Sequence, residues 1–341
     1  MAEACVYAGL AGDTGPGWPL STGLYRSRGG SGAWEPIGES LSPAPQVRAI
    51  AADPRRPGRV TIGTQTGLLR SDDYGEHWKP LSAPRPQLAV WSLLNHPRQP
   101  NTMLAGYEPC AIYRTTDDGV SWQLLKIDVA FPDITLNPQP QPKRVTGMAI
   151  DPNEPEAIYA SIEVGGLLRS LDGGRSWSCV TDGLYLVDDA VDLHRVVVNP
   201  ARAGAVTLIG RIGTFRSEDR GAHWKKLPVP TLTARGTYCR DLVLAPDDPS
   251  IVYVAAGTAF DGDKGVVFSS SDDGRSWSAM DLGVTPKSTI FVFAIDTRQP
   301  EHLYCASNGG EFFWSRDRGR KWTANPLPAG ATRVYSLAVG P

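Results

Sequence analysis

The chain has 341 residues, with 34 basic and 36 acidic side chains and a formal net charge of −2 at pH 7. A nearly neutral chain has no overall field that attracts nucleic acid or an anionic membrane, so we expect neither as a partner. Five cysteines without paired metal-site spacing, and histidines that do not cluster, predict neither a metal nor a cofactor. Reduced thiols and an N-terminus without a basic, apolar leader predict a cytoplasmic protein.

A short motif with Ser or Thr, Asp, Gly and Trp at offsets 0, 2, 4 and 7 recurs along the chain. Its six complete copies end at Trp78, Trp122, Trp177, Trp224, Trp277 and Trp322, and a weaker copy, SRGGSGAW, ends at Trp34. Successive tryptophans are 44 to 55 residues apart, which is the length of one four-stranded propeller blade. The period predicts an all-β fold, a seven-bladed β-propeller with four-stranded blades, as a single domain over residues 1–341.

The predicted blades follow one another with the same internal order of strands. Each has an apolar strand A ending near Asp-Pro, a Tyr- and Val-rich strand B, a strand C ending in Arg-Ser, and a Trp strand D. The first blade combines residues 1–37 with 332–341, and the others cover 46–82, 88–127, 144–180, 192–228, 238–281 and 288–327. We expect the C-terminal strand to join the N-terminal blade, which closes the ring without an open edge.

The repeated motif itself lies in the turn between strands C and D. In the copy SLDGGRSW, Asp172 can accept hydrogen bonds from turn amides, Gly174 can adopt a positive φ, and Trp177 can cover the hairpin. Because a structural role requires the motif in every blade, we interpret it as a turn staple rather than as catalytic machinery.

With these motifs, the whole chain resembles the BNR/Asp-box propellers, the repeat class found in sialidases, xyloglucanases, sortilin-type receptors and photosystem II assembly factors. The resemblance implies the fold and says little about function. Sialidases have six blades and an Arg-Ile-Pro segment that this chain lacks, so their catalytic residues are not transferred. Xyloglucanases use two such propellers facing each other, whereas the assembly-factor type resembles this chain in blade count and single-domain size.

Aligning the seven A strands predicts which side chains surround the top mouth of the central channel. The aligned positions are Arg48, Trp91, Thr146, His194, Arg240, Phe291 and Tyr335, and two residues earlier come Arg144, Asp192, Tyr238 and Arg333. The ends of the B strands add Gln65, Glu108, Glu163, Arg211 and Asn308. Five arginines at one opening repel each other unless acidic groups or a bound anion compensate them.

The mouth therefore predicts an anionic ligand held by guanidinium groups and aromatic walls. The predicted ligand-binding residues are Arg48, Trp91, Arg144, Arg211, Arg240, Tyr238, Phe291, Asn308 and Arg333. The predicted catalytic residues, which would move protons, are Glu108, Glu163, His194 and Tyr335. Alternatively, the two glutamates only neutralise arginines, His194 is a hydrogen-bonded wall residue, or the whole rim is solvated structure.

Three functions are compatible with this site. The first is an intracellular hydrolase or lyase that acts on an anionic small molecule. The second is a binding or assembly scaffold that uses the arginines to hold an acidic protein segment. The third, by family analogy alone, is a glycan-processing enzyme.

Overall fold

A computed structural model of the chain describes residues 4–12, 21–41, 43–82, 85–129, 133–134, 141–181 and 191–341. Within these ranges the chain forms seven four-stranded antiparallel sheets and no α-helix. The prediction of an all-β, seven-bladed β-propeller with four-stranded blades is therefore confirmed. The described part of the chain contains no helix whose length and apolar character would let it cross a membrane.

The strands of the first half are numbered in chain order. They are β1 (Cys5–Ala11), β2 (Thr22–Arg28), β3 (Glu35–Pro36), β4 (Ala49–Ala52), β5 (Val60–Thr64), β6 (Gly67–Ser71), β7 (Lys79–Pro80), β8 (Ala89–Asn95), β9 (Met103–Glu108), β10 (Ala111–Thr115), β11 (Gln123–Leu125), β12 (Asp133–Ile134), β13 (Gln141–Pro142), β14 (Val145–Ile150), β15 (Ile158–Ile162), β16 (Gly166–Ser170) and β17 (Ser178–Cys179).

The second half continues the same order. Its strands are β18 (Leu193–Val198), β19 (Val206–Gly210), β20 (Gly213–Ser217), β21 (Lys225–Lys226), β22 (Tyr238–Leu244), β23 (Val252–Gly257), β24 (Gly265–Ser270), β25 (Ser278–Ala279), β26 (Ile290–Asp296), β27 (Gln299–Ser307), β28 (Phe312–Ser315), β29 (Thr323–Ala324) and β30 (Val334–Gly340).

Blades 2 to 7 are the sheets that begin with β4, β8, β14, β18, β22 and β26, and blade 1 has the order β3-β2-β1-β30. In blade 1, β30 pairs antiparallel with β1 from Cys5↔Gly340 to Leu10↔Val334. The predicted closure of the ring by the C-terminal strand is therefore confirmed. The short strands β12 and β13 form a separate hairpin between blades 3 and 4, which the repeat pattern does not predict.

The blades pack face to face, with the apolar core divided among the seams between them. The B strands of blades 1 to 3, which are β1, β5 and β9, each carry a glycine that faces a valine of the next blade. These glycines are Gly9, Gly63 and Gly106. A Cβ atom added to Gly63 would lie 2.6 Å from Cγ1 of Val90, which no real Cβ contact tolerates. Glycine at this position therefore lets neighbouring blades approach closely around the channel.

The Asp-box turns have the hydrogen bonds expected of a staple. In the copy of blade 4, Asp172 Oδ1 accepts the amide of Ser176 at 2.9 Å, and the Gly174 amide donates to Ser170 Oγ at 2.8 Å. Gly174 has φ +87°, and the residue before it, Gly173, also has a positive φ. The equivalent bonds recur in the other five complete boxes.

Candidate functional site

In six of the seven blades the inner strand, which is strand A, presents one side chain to the channel mouth through a β-bulge. In β8, for example, Val90 pairs with Tyr107 and Ser92 pairs with Gly106, so Trp91 is the extra residue between them. The same shift leaves out one residue in five other inner strands: Thr146, His194, Arg240, Phe291 and Tyr335. A bulge re-aims the side chain of its extra residue, and in six of the seven blades that residue is one that the sequence alignment places at the mouth.

Aromatic rings and guanidinium groups fill the mouth of the channel. The Trp91 ring contacts the guanidinium carbon of Arg48 at 4.8 Å and that of Arg144 at 4.2 Å from its centroid. Arg240 stacks on Phe291 at 4.3 Å and lies 5.4 Å from the Tyr335 ring. These contacts leave a channel cavity of only about 140 Å³. Arg48 is buried and donates hydrogen bonds to Gln46 Oε1 and the carbonyl oxygen of Gly12.

A larger cavity of about 500 Å³ lies beside the channel on the same face, and we call it the top cavity. One side of it is lined by residues at the starts of A strands and the ends of B strands. The other side is lined by the loops at residues 229–237 and 258–264. Its lining includes Arg144, Glu163, Asp192, His194, Arg211, Thr233, Arg235, Tyr238, Thr258, Phe260, Asp261 and Tyr335. His194 and Tyr335 also line the channel, so they form the wall between the two spaces.

Two glutamates share one guanidinium group at the edge of this cavity. Arg144 Nε lies 2.5 Å from Glu163 Oε2, and its Nη1 lies 3.5 Å from Glu108 Oε2. Burial raises the pKa of Glu163, and the Asp192 carboxylate raises it further, whereas the Arg144 and Arg240 guanidinium groups lower it. The net direction is upward, because the loss of solvation outweighs the pairing. Glu163 therefore holds its proton to a higher pH than an ordinary glutamate does.

His194 is a buried, neutral imidazole. Its Nδ1 lies 2.6 Å from the carbonyl oxygen of Cys239, and because a carbonyl only accepts, Nδ1 carries the proton. Burial and the Arg240 guanidinium lower the pKa of His194 to about 3, so Nε2 keeps its lone pair at neutral pH. Nε2 lies 3.6 Å from Asp192 Oδ1. The ring thus offers the top cavity an acceptor rather than a positive charge.

Three of the predicted residues line neither cavity. Glu108 contacts Arg144, as described above. The buried Asn308 donates through Nδ2 to the carbonyl oxygen of Phe260 at 3.1 Å, and Arg333 forms an ion pair with Asp261. Cys239 is buried and its pKa is raised by burial to about 12, which keeps the thiol protonated.

Among the residues of the top cavity that sequence reasoning missed are Arg235 and Phe260. Both lie in loops, residues 229–237 and 258–265, that the repeat pattern places on the top face but cannot align. The length of these loops was the only signal that could have pointed to them. Their side chains add a guanidinium group and an aromatic ring to a lining that also contains carboxylates.

No model of a known protein family matches the sequence. Among curated proteins, the chain is 25% identical over 86% of its length to a xyloglucanase of Paenibacillus sp, covering 29% of that protein. It is also 25% identical over 86% of its length to xyloglucanase Xgh74A of Acetivibrio thermocellus, covering 35% of that protein. The chain thus spans about a third of the length of these relatives.

Solved structures share the fold at low sequence identity. The GH74 xyloglucanase of Xanthomonas campestris matches 98% of this chain with 52% of its own, at a TM-score of 0.70 and 16% identity. A structure of YCF48 bound to D1 peptide matches 96% of this chain with 94% of its own, at a TM-score of 0.61 and 17% identity. The repeats, the seven sheets and these likenesses together identify the chain as a seven-bladed β-propeller of the BNR/Asp-box repeat class.

Proposed function

We propose that this chain is the glycan-binding propeller of a glycan-processing hydrolase, and that its top cavity takes an oligosaccharide carrying an anionic group. The composition of the top cavity is the observation that carries the proposal: aromatic rings, neighbouring carboxylates and guanidinium groups line one space. Similarity to xyloglucanases over 86% of the chain supports glycan processing. Because the chain spans about a third of those proteins, hydrolysis by this chain is itself part of the proposal.

Two guanidinium groups support an anionic ligand. Neither Arg235 nor Arg240 forms a hydrogen bond or salt bridge with any residue in the part of the chain that the structure describes. Arg240 lines the channel rather than the top cavity, next to the wall that His194 and Tyr335 form between the two spaces. Its guanidinium group stacks on Phe291, which holds it without neutralising its charge, so the anionic group of the ligand would reach it at the channel mouth. A carboxylate or sulfate on a sugar would supply the missing partner through bidentate hydrogen bonds.

The carboxylates of the top cavity support the proposal that the ligand is hydrolysed. Glycosidases use one protonated carboxylic acid to donate a proton to the leaving oxygen and a second, ionised carboxylate on the other side of the bond. Glu163, whose pKa is raised, fits the acid, and Asp192 in the same cavity fits the second carboxylate. A lyase remains the alternative chemistry: the neutral His194 would remove a proton beside a sugar carboxylate that an arginine neutralises.

Binding is tested first, by thermal shift and calorimetry. The probes are an oligogalacturonate, a neutral xyloglucan oligosaccharide and an acidic peptide. A probe at a hundredfold excess over Kd should stabilise the protein by about 2.7 kcal/mol. We expect the acidic oligosaccharide to bind, and Arg240→Gln to weaken it about tenfold or more. The control Arg175→Gln, at a site 75% exposed in the Asp box of blade 4, should leave binding unchanged.

The outcomes of these binding experiments distinguish the candidate ligands. Binding of the neutral oligosaccharide alone, unaffected by Arg240→Gln, would refute the anionic part. Failure of every glycan would refute the proposed function. If the acidic peptide alone binds and Arg240→Gln abolishes it, the chain is a scaffold for an acidic protein segment. The exposed position of Arg235 at the cavity rim favours that second candidate.

Catalysis is tested with a glycan that binds. Glu163→Gln should lower the release of reducing ends by about 10²- to 10⁴-fold while leaving Kd within a few fold, because only proton donation is lost. Unsaturated products, seen by their ultraviolet absorbance, would indicate a lyase. Unchanged turnover in Glu163→Gln would remove that residue from the mechanism.

A further inference from the structure

We propose that Phe260 is the ring on which a sugar of the bound glycan packs, and that Asn308 and Arg333 hold it in position. This inference rests on the proposed function, because it names how the top cavity recognises its ligand. It concerns the loop between β23 and β24, residues 258–264, on the top face of blade 6. It also gives a role to two residues that line neither cavity.

The loop is held by groups from outside its own blade. Asn308 Nδ2 donates to the carbonyl oxygen of Phe260 at 3.1 Å and to Asp261 Oδ1 at 3.3 Å. The Arg333 guanidinium forms an ion pair with the same Asp261 carboxylate. Thr289 Oγ1 donates to the carbonyl oxygen of Ala259 at 2.5 Å. Each of these groups adjoins a sheet strand of blade 7 or of blade 1, so the loop is fixed relative to three blades.

The packing around the loop leaves little room for movement. A Cβ atom added to Gly257 would lie 2.1 Å from Thr289 Oγ1, and one added to Gly262 would lie 2.4 Å from Thr258 Oγ1. Such close approach is possible only without side chains at these positions. The backbone that carries Phe260 is therefore set before any ligand arrives, and the ordering cost of binding is low.

The Phe260 ring stands where a ligand can touch it. It is half-buried and lines the top cavity, whereas its neighbour Phe291 is almost completely buried. The two rings meet edge to face at 5.3 Å, and the Tyr335 ring lies 6.4 Å away. A pyranose ring presents a face of C–H groups that packs on an aromatic ring through dispersion and burial. Phe260 thus supplies the apolar contact, while Arg235 in the same cavity and Arg240 at the adjoining channel mouth supply the charge.

The position of Asn308 and Arg333 explains why both act through Phe260. Their polar groups are directed at the loop rather than at the cavity, and the Arg333 guanidinium carbon lies 5.4 Å from the centroid of the Phe260 ring. They are positioning residues. Removing either should move the ring without removing any group that contacts the glycan.

The test measures Kd for the oligogalacturonate in single and double variants of the full chain. Phe260→Leu should weaken binding about tenfold. Phe260→Tyr should bind about as well as wild type, because it keeps an aromatic face at this position. Asn308→Ala should also weaken binding, but adding it to Phe260→Leu should cost nothing further. The control Asp263→Asn changes the same loop at a side chain that accepts a hydrogen bond from Thr258 Oγ1 rather than from Asn308 or Arg333, and an asparagine can accept the same bond, so it should bind as wild type.

Arg333→Met is the second positioning variant, for use if Asn308→Ala lowers the melting temperature. If Phe260→Leu binds as wild type while Arg240→Gln does not, the inference is overturned and the proposed function stands. Additive losses in the Phe260→Leu/Asn308→Ala double variant would overturn the positioning role. If the wild-type chain binds no glycan, the proposed function fails and this inference fails with it.

Discussion

The seam between blades 2 and 3 allows a quantitative test of how the propeller packs. Gly63 has room for no Cβ atom, because Cγ1 and Cβ of Val90 would lie 2.6 and 2.8 Å away and the Val90 carbonyl oxygen 3.1 Å away. Gly63→Ala should therefore overpack the seam and lower the free energy of unfolding by about 1–3 kcal/mol. For a chain of this length, that corresponds to a fall in melting temperature of about 1–4 °C.

The variant Val90→Ala tests whether the contact between positions 63 and 90 causes this loss of stability. Val90 is fully buried, and Val90→Ala alone should cost about 1.5–3 kcal/mol through lost burial and the space left behind. In the double variant the new Cβ at position 63 occupies part of that space, so the costs should not add. We expect a favourable coupling energy of about 1 kcal/mol or more.

Differential scanning calorimetry on the four proteins measures this cycle. Gly38→Ala is the matched control, because its added Cβ would lie 3.3 Å from Pro45 Cγ, a distance that a shift of a few tenths of an ångström relieves, so it should cost much less than Gly63→Ala. A Gly63→Ala protein as stable as wild type, or strict additivity with Val90→Ala, would refute the idea that glycine sets the spacing of the blades.

Three further predictions concern the ring and its turns. Asp118→Ala removes a carboxylate that lies within 3.1 Å of Arg56, Arg59 and Arg70 of the preceding blade, and should cost about 1–3 kcal/mol in calorimetry. Deleting residues 332–341 removes β30 and should lower the melting temperature sharply; a truncated chain of full stability would contradict ring closure. Hydrogen bonds lower the pKa of the box carboxylates, that of Asp73 from 3.8 to about 2, so their stabilisation is complete above about pH 4 and is lost as the pH falls toward 2. Urea midpoints across that range should fall less in Asp73→Asn.

The repeats made the fold predictable because each blade carries the same turn residues at the same position between strands C and D. Residues at the mouth were also predictable, since the A strands end alike and can be aligned. The alignment did not reveal the bulge that turns the side chains of residues such as Trp91 and His194 toward the channel, because a bulge changes pairing without changing the sequence period. Strict alternation along an unbulged strand would not have turned these side chains in the same way.

The top cavity was less predictable, because six of its fourteen lining residues lie in loops outside the repeat. Arg235 and Phe260 lie in loops whose lengths differ from blade to blade, so no periodic pattern marks them. For Asn308, the sequence predicted the position of the residue but not the contact that its side chain makes. The end of strand B correctly placed it on the top face, but only the three-dimensional position of the loop at 258–264 shows that its amide holds backbone.

The arginines at the mouth explain why a ligand would use some of them and not others. Like charges at close range need compensation, and two of these groups find it in neighbouring carboxylates: Arg144 pairs with Glu163, and Arg333 pairs with Asp261. An anion that used either would have to displace a carboxylate already in place, so the gain would be small. Arg240 is held by aromatic stacking alone among the described residues, and a carboxylate brought to it adds a pairing where none exists. Ligand affinity should therefore depend on Arg240 far more than on Arg144, whose loss should instead shift the pKa of Glu163 further upward.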